Sequence, residues 1–212
     1  MRVALGVSGG IAAYKAAELV RRLQQERLEV QVVMTRSAQE FITPLTLAAL
    51  SGRKVITEMF AEPGPAPANI DSAIEHIAIA QSIDLLVIAP ATANTIARLA
   101  NGLADDFLST LYLATKVPVV IAPAMNVNMW EHPATRENLQ KLCARGVHVV
   151  EPDEGYLACG MTGAGRLAGV ESIARKVCEL LGIRHDFESE SVLVTAGPTC
   201  EDVDPVRFLT NR

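Results

Sequence analysis

The chain has 212 residues, 50% of them hydrophobic and only 4% aromatic, and a formal net charge of −5. A chain of this length suits one α/β domain with some residues left over, and it buries roughly 70% of its unfolded surface without needing staples. The charge balance excludes the basic stripe of a nucleic-acid binder and the Lys/Arg cluster of an anionic-lipid binder, and no apolar run nears the ~20 residues of a membrane span.

Apolar runs alternate with segments of helical period. Val3–Val7 predicts a short strand, Ile11–Leu23 a helix with Ala12, Ala16, Leu19 and Leu23 on one face, and Glu29–Thr35 a second strand. Thr43-Pro44 opens a helix as cap and first residue, and Gly52 closes it. The stretch Ala61–Ala68, with three prolines, is a loop, and Ser72–Ser82 is a helix carrying His76. Asp84–Ala89 and Val117–Ala122 are continuous apolar strands, each running into Ala-Pro, with a helix over Asp105–Ala114 between them. Thr135–Arg145 is a helix stopped by Gly146, Val147–Val150 a strand, Gly155–Gly169 an irregular Gly-rich stretch, and Val170–Leu181 a helix closed by Gly182. Strands that are apolar on both faces, separated by helices, imply a doubly wound, mostly parallel sheet in a flavodoxin-like three-layer α/β sandwich. The polar stretch Ile183–Ser191 reads as a linker, and Val192–Thr195 as a strand opening a second unit. Residues 1–182 are thus expected to form the main domain, 183–191 a linker, and 192–212 the start of another domain.

Ligands on such sheets bind beyond the carboxyl ends of the strands. Four unusual segments follow strands: Ser8-Gly9-Gly10, Thr35-Arg36-Ser37, Pro90–Thr95 and Pro123–Trp130. Gly6-Val7-Ser8-Gly9-Gly10 lets backbone approach a phosphate at a helix N-terminus, or is simply a tight turn before a helix. The pattern is not GxGxxG, and the second strand ends without the Asp or Glu that holds an adenosine ribose, which favours a mononucleotide over NAD. Hydroxyls at Ser8, Thr35 and Ser37 suit a phosphate monoester. Thr92, Asn94 and Thr95 can bond the edge of a flat ring, or Thr92 or Asn94 caps a helix. Asn126, just past a buried strand, can hold a carboxylate. Cys159 lies between Ala158 and Gly160 in a loop with no obvious packing role, although free cysteines are mostly buried and inert. His76, among isoleucines, is a core or interface residue or a proton carrier, and Arg166 meets an anion or only solvent. Met129 and Trp130 serve to anchor their loop. Cys143, Cys159, Cys178 and Cys200 form no CxxC pair, and the four histidines lack ligand spacing, so neither disulfide nor metal is expected. Met1-Arg2-Val3 leads straight into a strand with no signal-peptide pattern, giving the expectation of a cytoplasmic chain.

Gly6–Lys15 (GVSGGIAAYK), Ala89–Thr95, Pro123–Trp130 and Leu157–Arg166 (LACGMTGAGR) together resemble the homo-oligomeric flavin-containing cysteine decarboxylases, in their phosphopantothenoylcysteine decarboxylase branch. The tail, from Ala196-Gly197-Pro198-Thr199 to Arg212, is similar to the opening of a phosphopantothenate–cysteine ligase domain, most of which is absent, so no ligase activity is expected. The resemblance implies FMN as cofactor, 4′-phosphopantothenoylcysteine as substrate and 4′-phosphopantetheine as product, with a thioaldehyde and then an enethiol on the way. It implies His76 as base or orienter, Asn126 as carboxylate holder and Cys159 as proton donor. Cofactor contacts would fall on Gly6, Ser8, Gly9, Gly10, Thr35, Ser37 and Phe41, and on Ala91, Thr92, Asn94, Thr95, Ala124 and Met125. Substrate contacts would add Ala158, Gly160 and Arg166 to Asn126. It further implies a homotrimer with flavin between subunits, extendable to a dodecamer, in which helix Ser72–Ser82 brings His76 to a neighbour's flavin through Ile74, Ile77 and Ile79. Two alternatives remain: a flavoenzyme of the same fold acting on another substrate, such as a peptidyl-cysteine decarboxylase or a flavin prenyltransferase, the latter sharing the phosphate turn but not the Pro-Ala-Met-Asn loop with a downstream cysteine, and a flavin-binding regulatory subunit without turnover.

Overall fold

The computed structural model describes residues 1–59, 75–156, 160, 162–183, 193 and 200–210. The proline-rich loop at 61–68, the strand expected at 192–195 apart from Leu193, and the site candidates Ala158 and Cys159 lie outside these residues. Five strands, β1 (Arg2–Val7), β2 (Glu29–Met34), β3 (Leu85–Ala91), β4 (Val119–Pro123) and β5 (His148–Val149), form one sheet in the order β2-β1-β3-β4-β5. Every pairing in it is parallel. Alternate residues of each strand feed two cores. Val3, Leu5 and Val7 of β1 pack with Leu19 and Leu23 of α1 (Lys15–Gln25) and with Ile173 and Val177 of the C-terminal helix. Ala4 of β1, with Leu86 and Ile88 of β3, faces the other core. Burial on both faces is why these strands read as unbroken apolar runs, and it leaves the doubly wound sandwich that the sequence implies.

The helices follow local chemistry. Thr43 caps α2 (Pro44–Ser51) by accepting from Thr46 N, and Gly52 ends it in the left-handed region. Helix α3 is described from Glu75 to Ser82. Helix α4 (Ala93–Asn101) has no counterpart in the chain-order reading, although its cap at Thr92 does. Thr92 Oγ1 accepts from Thr95 N at 3.3 Å to start it, Ile96, Leu99 and Ala100 are its buried face, and Gly102 terminates it at φ +69°. Asp106 caps α5 (Phe107–Ala114) in a reciprocal box with Ser109. Asn126 caps the short α6 (Val127–Glu131), and His132 Nδ1 accepts from Ala134 N to start α7 (Pro133–Ala144). Helix α8 (Val170–Leu180) ends before Gly182.

Three local departures have physical causes. The helix expected from Ile11 opens as a 3₁₀ turn, Ile11–Tyr14, because Ala13 N bonds back to Gly10 O at 2.9 Å. Strand β3 continues through Pro90, whose bond to Ala89 is cis, into Ala91, which pairs with Pro123 of β4. The Gly-rich stretch expected to be irregular is an antiparallel hairpin of β6 (Asp153–Tyr156) and β7 (Thr162–Arg166). Glycines at 155, 163 and 165 erase the side-chain alternation that marks a strand, yet β7 needs the last two. A Cβ on Gly165 would sit 2.3 Å from Met125 O, and one on Gly163 2.9 Å from Val127 Cγ2. A second small hairpin, β8 (Cys200–Asp202) with β9 (Phe208–Thr210), lies near the C-terminus. Its turn is held by Asp204, whose carboxyl the Arg207 guanidinium and the Val206 N–H keep below the usual range.

Candidate functional site

The strand order reverses between β1 and β3, which opens a crevice at the carboxyl edge of the sheet. A cavity of about 1100 Å³ lies there, walled by the segments that follow β1, β2, β3 and β4. The first wall is Gly9-Gly10. It abuts Ser37 so closely that a Cβ on Gly9 would fall 2.3 Å from Ser37 Cβ and 2.7 Å from its carbonyl carbon. Thr35 N donates to Val7 O at 3.0 Å, tying the second wall to the first. The Thr35 hydroxyl is buried and has no hydrogen-bond partner among the described residues. A buried hydroxyl without a partner is costly, and a ligand phosphate beside it would supply one.

The fourth wall is fixed from two sides. Ala124 N donates to Ala91 O at 3.1 Å, and Met125 N to Gly165 O at 2.9 Å. Asn126 Oδ1 accepts from Asn128 N at 2.8 Å. With the oxygen engaged there, the side chain's donor is its Nδ2 amide, the group suited to a carboxylate. Arg166 follows Gly165 on the same wall.

Charge and polarity sort the cavity. Arg98 pairs with Asp105 at 3.3 Å and Asp106 at 2.6 Å, which leaves one negative charge over on that side. Lys15, Arg36 and Arg166 also line the cavity and make no ion pair among the described residues. The surplus of positive charge favours an anionic ligand. Ile11, Met125, Met129 and Leu167 give apolar contact for a flat ring. The glycine turn, the orphan Thr35 hydroxyl, the excess cations and this apolar wall fit a flavin mononucleotide.

Of the residues singled out in the sequence, Gly9, Gly10, Thr35, Ser37, Thr92, Asn94 and Thr95 line the cavity, with Ala124, Met125, Asn126 and Arg166 opposite. Gly6 and Ala91 lie behind the wall, fully inside the sheet. At Gly6 a Cβ would strike Leu108 Cδ1 at 2.5 Å, so packing against α5 accounts for that glycine. Ser8 is 1% exposed, with its hydroxyl engaged by backbone. Phe41 is half-exposed beyond the 3₁₀ turn Arg36–Glu40 and does not line the cavity. Gly160, at φ +83°, is exposed between the ends of the β6–β7 hairpin. His76 does not line the cavity of its own chain. It sits on α3 with its ring edge-to-face to Phe107 at 6.4 Å, and its Nδ1 is buried without a partner among the described residues. Ile77 on the same helix is 43% exposed, Ile79 packs on the second core, and Ile74 is outside the described residues.

The sequence reading missed Tyr14, Lys15, Arg98, the Asp105-Asp106 pair and Tyr156 as cavity residues, and assigned Met129 to packing. Lys15 carried a signal, since it ends the motif that starts at Gly6. Arg98 would have needed α4 to be recognised first: it lies on that helix, two turns past the cap. Trp130 is buried and carries Arg136 over its ring at 4.3 Å, an anchor as expected, whereas Met129 is half-exposed on the cavity wall. Among the described residues no group of three His, Cys, Asp or Glu side chains could hold a metal, and no helix is long and apolar enough to cross a membrane.

Fold and cavity together define a flavodoxin-like protein with a mononucleotide crevice at its topological switch. The family profile described as Flavoprotein matches residues 1–182, and the chain belongs to that family. A second profile, the DNA/pantothenate metabolism flavoprotein C-terminal domain, matches residues 187–212. The chain is 48% identical over 217 aligned residues to the coenzyme A biosynthesis bifunctional protein CoaBC of Bacillus subtilis, covering 99% of this chain and 51% of the relative. It thus spans about half the length of the curated relatives it matches. Among solved structures, a cysteine-to-serine variant of PPC decarboxylase complexed with pantothenoylaminoethenethiol superposes with a TM-score of 0.71 at 31% identity, covering 85% of this chain and 98% of the other. The FMN binding protein AtHal3 superposes at 0.69, also at 31% identity, covering 86% and 97%.

Proposed function

We propose that this chain is an FMN-dependent decarboxylase that converts 4′-phosphopantothenoylcysteine to 4′-phosphopantetheine, the decarboxylation step of coenzyme A biosynthesis. The observation that carries the reading is the meeting of Asn126 with the Gly9-Gly10 turn, Ser37 and Thr92 in one cavity. A carboxylate holder and a phosphate cradle are of use to each other only where a nucleotide ring and a small acid lie side by side. The names of the relatives support the same chemistry.

Gly9, Gly10, Thr35 and Ser37 would hold the FMN phosphate, and Met125 with the Thr92–Thr95 turn would hold its ring. When bound, FMN supplies two-electron oxidation of the substrate's thiol end and returns the electrons after CO₂ has left. Asn126 orients the substrate carboxylate by its amide. A neutral donor is apt, because decarboxylation must discharge that anion and a guanidinium in the same place would stabilise it too strongly. His76 takes or guides the thiol proton, and Cys159 gives a proton to the enethiol carbon. That the cysteine-to-serine relative is found with an enethiol supports this last role. His76 stands away from its own chain's cavity, so the reading places it at a neighbour's site in a homotrimer, which can stack further into a dodecamer in the cytoplasm. Ligase chemistry is not assigned to these 212 residues.

Incubation of the purified chain with FMN and 4′-phosphopantothenoylcysteine, followed by mass spectrometry, should show loss of one CO₂ from the substrate. Bound flavin with an intact substrate would remove the decarboxylase and leave a binding protein.

A further inference from the structure

Ser8 opens the glycine turn and was expected to meet a phosphate, but its hydroxyl is committed elsewhere. The residue is 1% exposed. Its Oγ–H donates to Pro90 O at 2.7 Å, and its lone pair accepts from Thr92 N at 2.9 Å. Thr92 Oγ1 lies a further 3.4 Å from it, and the Ser8 amide also donates to Pro90 O at 3.3 Å. A serine hydroxyl has a single proton, and here that proton is spent on backbone.

We propose that Ser8 is a positioning residue: its hydroxyl latches the end of β1 to the end of β3 across the switch-point crevice and sets the Thr92–Thr95 turn against the bound nucleotide without touching the phosphate. The latch continues into α4. Thr92 Oγ1 accepts from Thr95 N at 3.3 Å and lies 3.1 Å from Thr95 Oγ1. Thr92 and Thr95 both line the cavity, so what Ser8 holds is the cavity wall itself. Alanine at this position would leave Thr92 N–H without its partner and Pro90 O with only the Ser8 amide, at 3.3 Å, and the two segments would loosen from each other. Phosphate contact then falls to Gly9-Gly10, Ser37 and the unpartnered Thr35 hydroxyl. The ligand in this inference rests on the flavin reading above; the latch does not.

The test compares wild type, Ser8→Ala and Ser8→Cys as full chains, reading Thr92 amide hydrogen exchange by NMR without added flavin and FMN affinity by fluorescence quenching. In Ser8→Ala, Thr92 exchange should rise about tenfold while the amides of α8 keep their protection, and FMN affinity should fall about tenfold. Ser8→Cys, a weaker hydrogen-bonding group that still fills the site, should fall between the two. Weakened FMN binding with Thr92 exchange unchanged would make Ser8 a direct ligand and overturn the inference. Faster exchange with unchanged FMN affinity would overturn it too, leaving a latch that positions nothing. Failure of the wild-type chain to bind FMN would instead sink the flavin reading, and is told apart because it appears before any substitution.

Discussion

Gly165 shows how one missing side chain shapes the reacting end of the cavity. Its amide plane meets Met125, its φ is +141°, and a Cβ there would overlap a backbone oxygen that cannot move without carrying Asn126 along. Gly165→Ala should therefore lower decarboxylase kcat/KM on the order of a hundredfold, the cost of misplacing a reacting group by about an ångström. Gly163→Ala, whose new methyl would meet only the Val127 side chain, should lose much less in the same assay. Cys159→Ser should still release CO₂ but stop before 4′-phosphopantetheine, with the enethiol visible by mass spectrometry. Full product at the normal rate would remove the cysteine from the mechanism. The other cysteines behave differently. Cys178 is 6% exposed on α8, and burial pushes its thiol pKa up, with Glu26 adding to the shift. The folded state therefore favours the neutral thiol. Its contribution is complete below the ordinary thiol value of about 8.5 and is lost as pH rises from there through the raised folded value. Stability measured by urea unfolding should thus fall less steeply above pH 8.5 in Cys178→Ala than in wild type. A disulfide-exchange reagent at neutral pH should modify exposed Cys143 well before Cys178.

Among elements, α5 joins the cavity to His76. Asp106 lines the cavity, pairs with Arg98 at 2.6 Å, and accepts from Ser109 N at 2.7 Å to begin the helix. The next residue, Phe107, is buried against the His76 ring. Asp106→Ala should cost about 1–2 kcal/mol, because it removes an N-cap and leaves Arg98 with a weaker partner. Asp106→Asn keeps the cap and should cost less than half of that in the same urea titration; equal losses would mean that the charge, not the cap, matters. The start of α2 was legible in the sequence, because Thr43-Pro44 is a cap and first residue; the helices expected from Asp105 and Thr135 begin instead at Phe107 and Pro133, the second because His132 serves as a cap that its residue type does not announce. Helix α4 was not legible, although Ile96, Leu99 and Ala100 mark one buried face, because Thr92, Asn94 and Thr95 at its start read equally as a polar loop from local chemistry alone. The β6–β7 hairpin was hidden for the opposite reason. Its glycines answer to contacts from Val127 and Met125 that are distant in sequence, and a local pattern cannot show them.

At the scale of the whole molecule, the topology was readable from the doubly apolar strands, and with it the edge where ligands gather. The cavity's membership was readable for segments that directly follow strands and, beyond them, for Arg166. Arg98 and Tyr156 reach it from a helix and a hairpin, and Ser8, though in the right motif, turns inward. His76 is the residue that the single chain leaves without a site. It is away from its own cavity, its Nδ1 has no partner among the described residues, and its helix exposes Ile77. The rim of the cavity is also open and apolar, with Ile11 62% and Tyr14 59% exposed. Both features are met if a neighbouring copy covers the rim and brings its own His76 to it, in a closed ring of three. Light scattering should then give the mass of a trimer or a multiple of it; a monomer at working concentration would contradict the arrangement. Complementation tests the sharing directly. His76→Asn and Asn126→Ala chains should each be nearly inactive alone. In oligomers assembled from an equal mixture, a site that takes its asparagine from one chain and its histidine from the next is whole in about a quarter of cases by random closure of a cyclic ring. Mixed assemblies should recover on the order of a quarter of wild-type turnover if His76 acts across the interface. If His76 and Asn126 serve the same chain, every site in the mixture carries one lesion and no activity returns, whatever the oligomer's size.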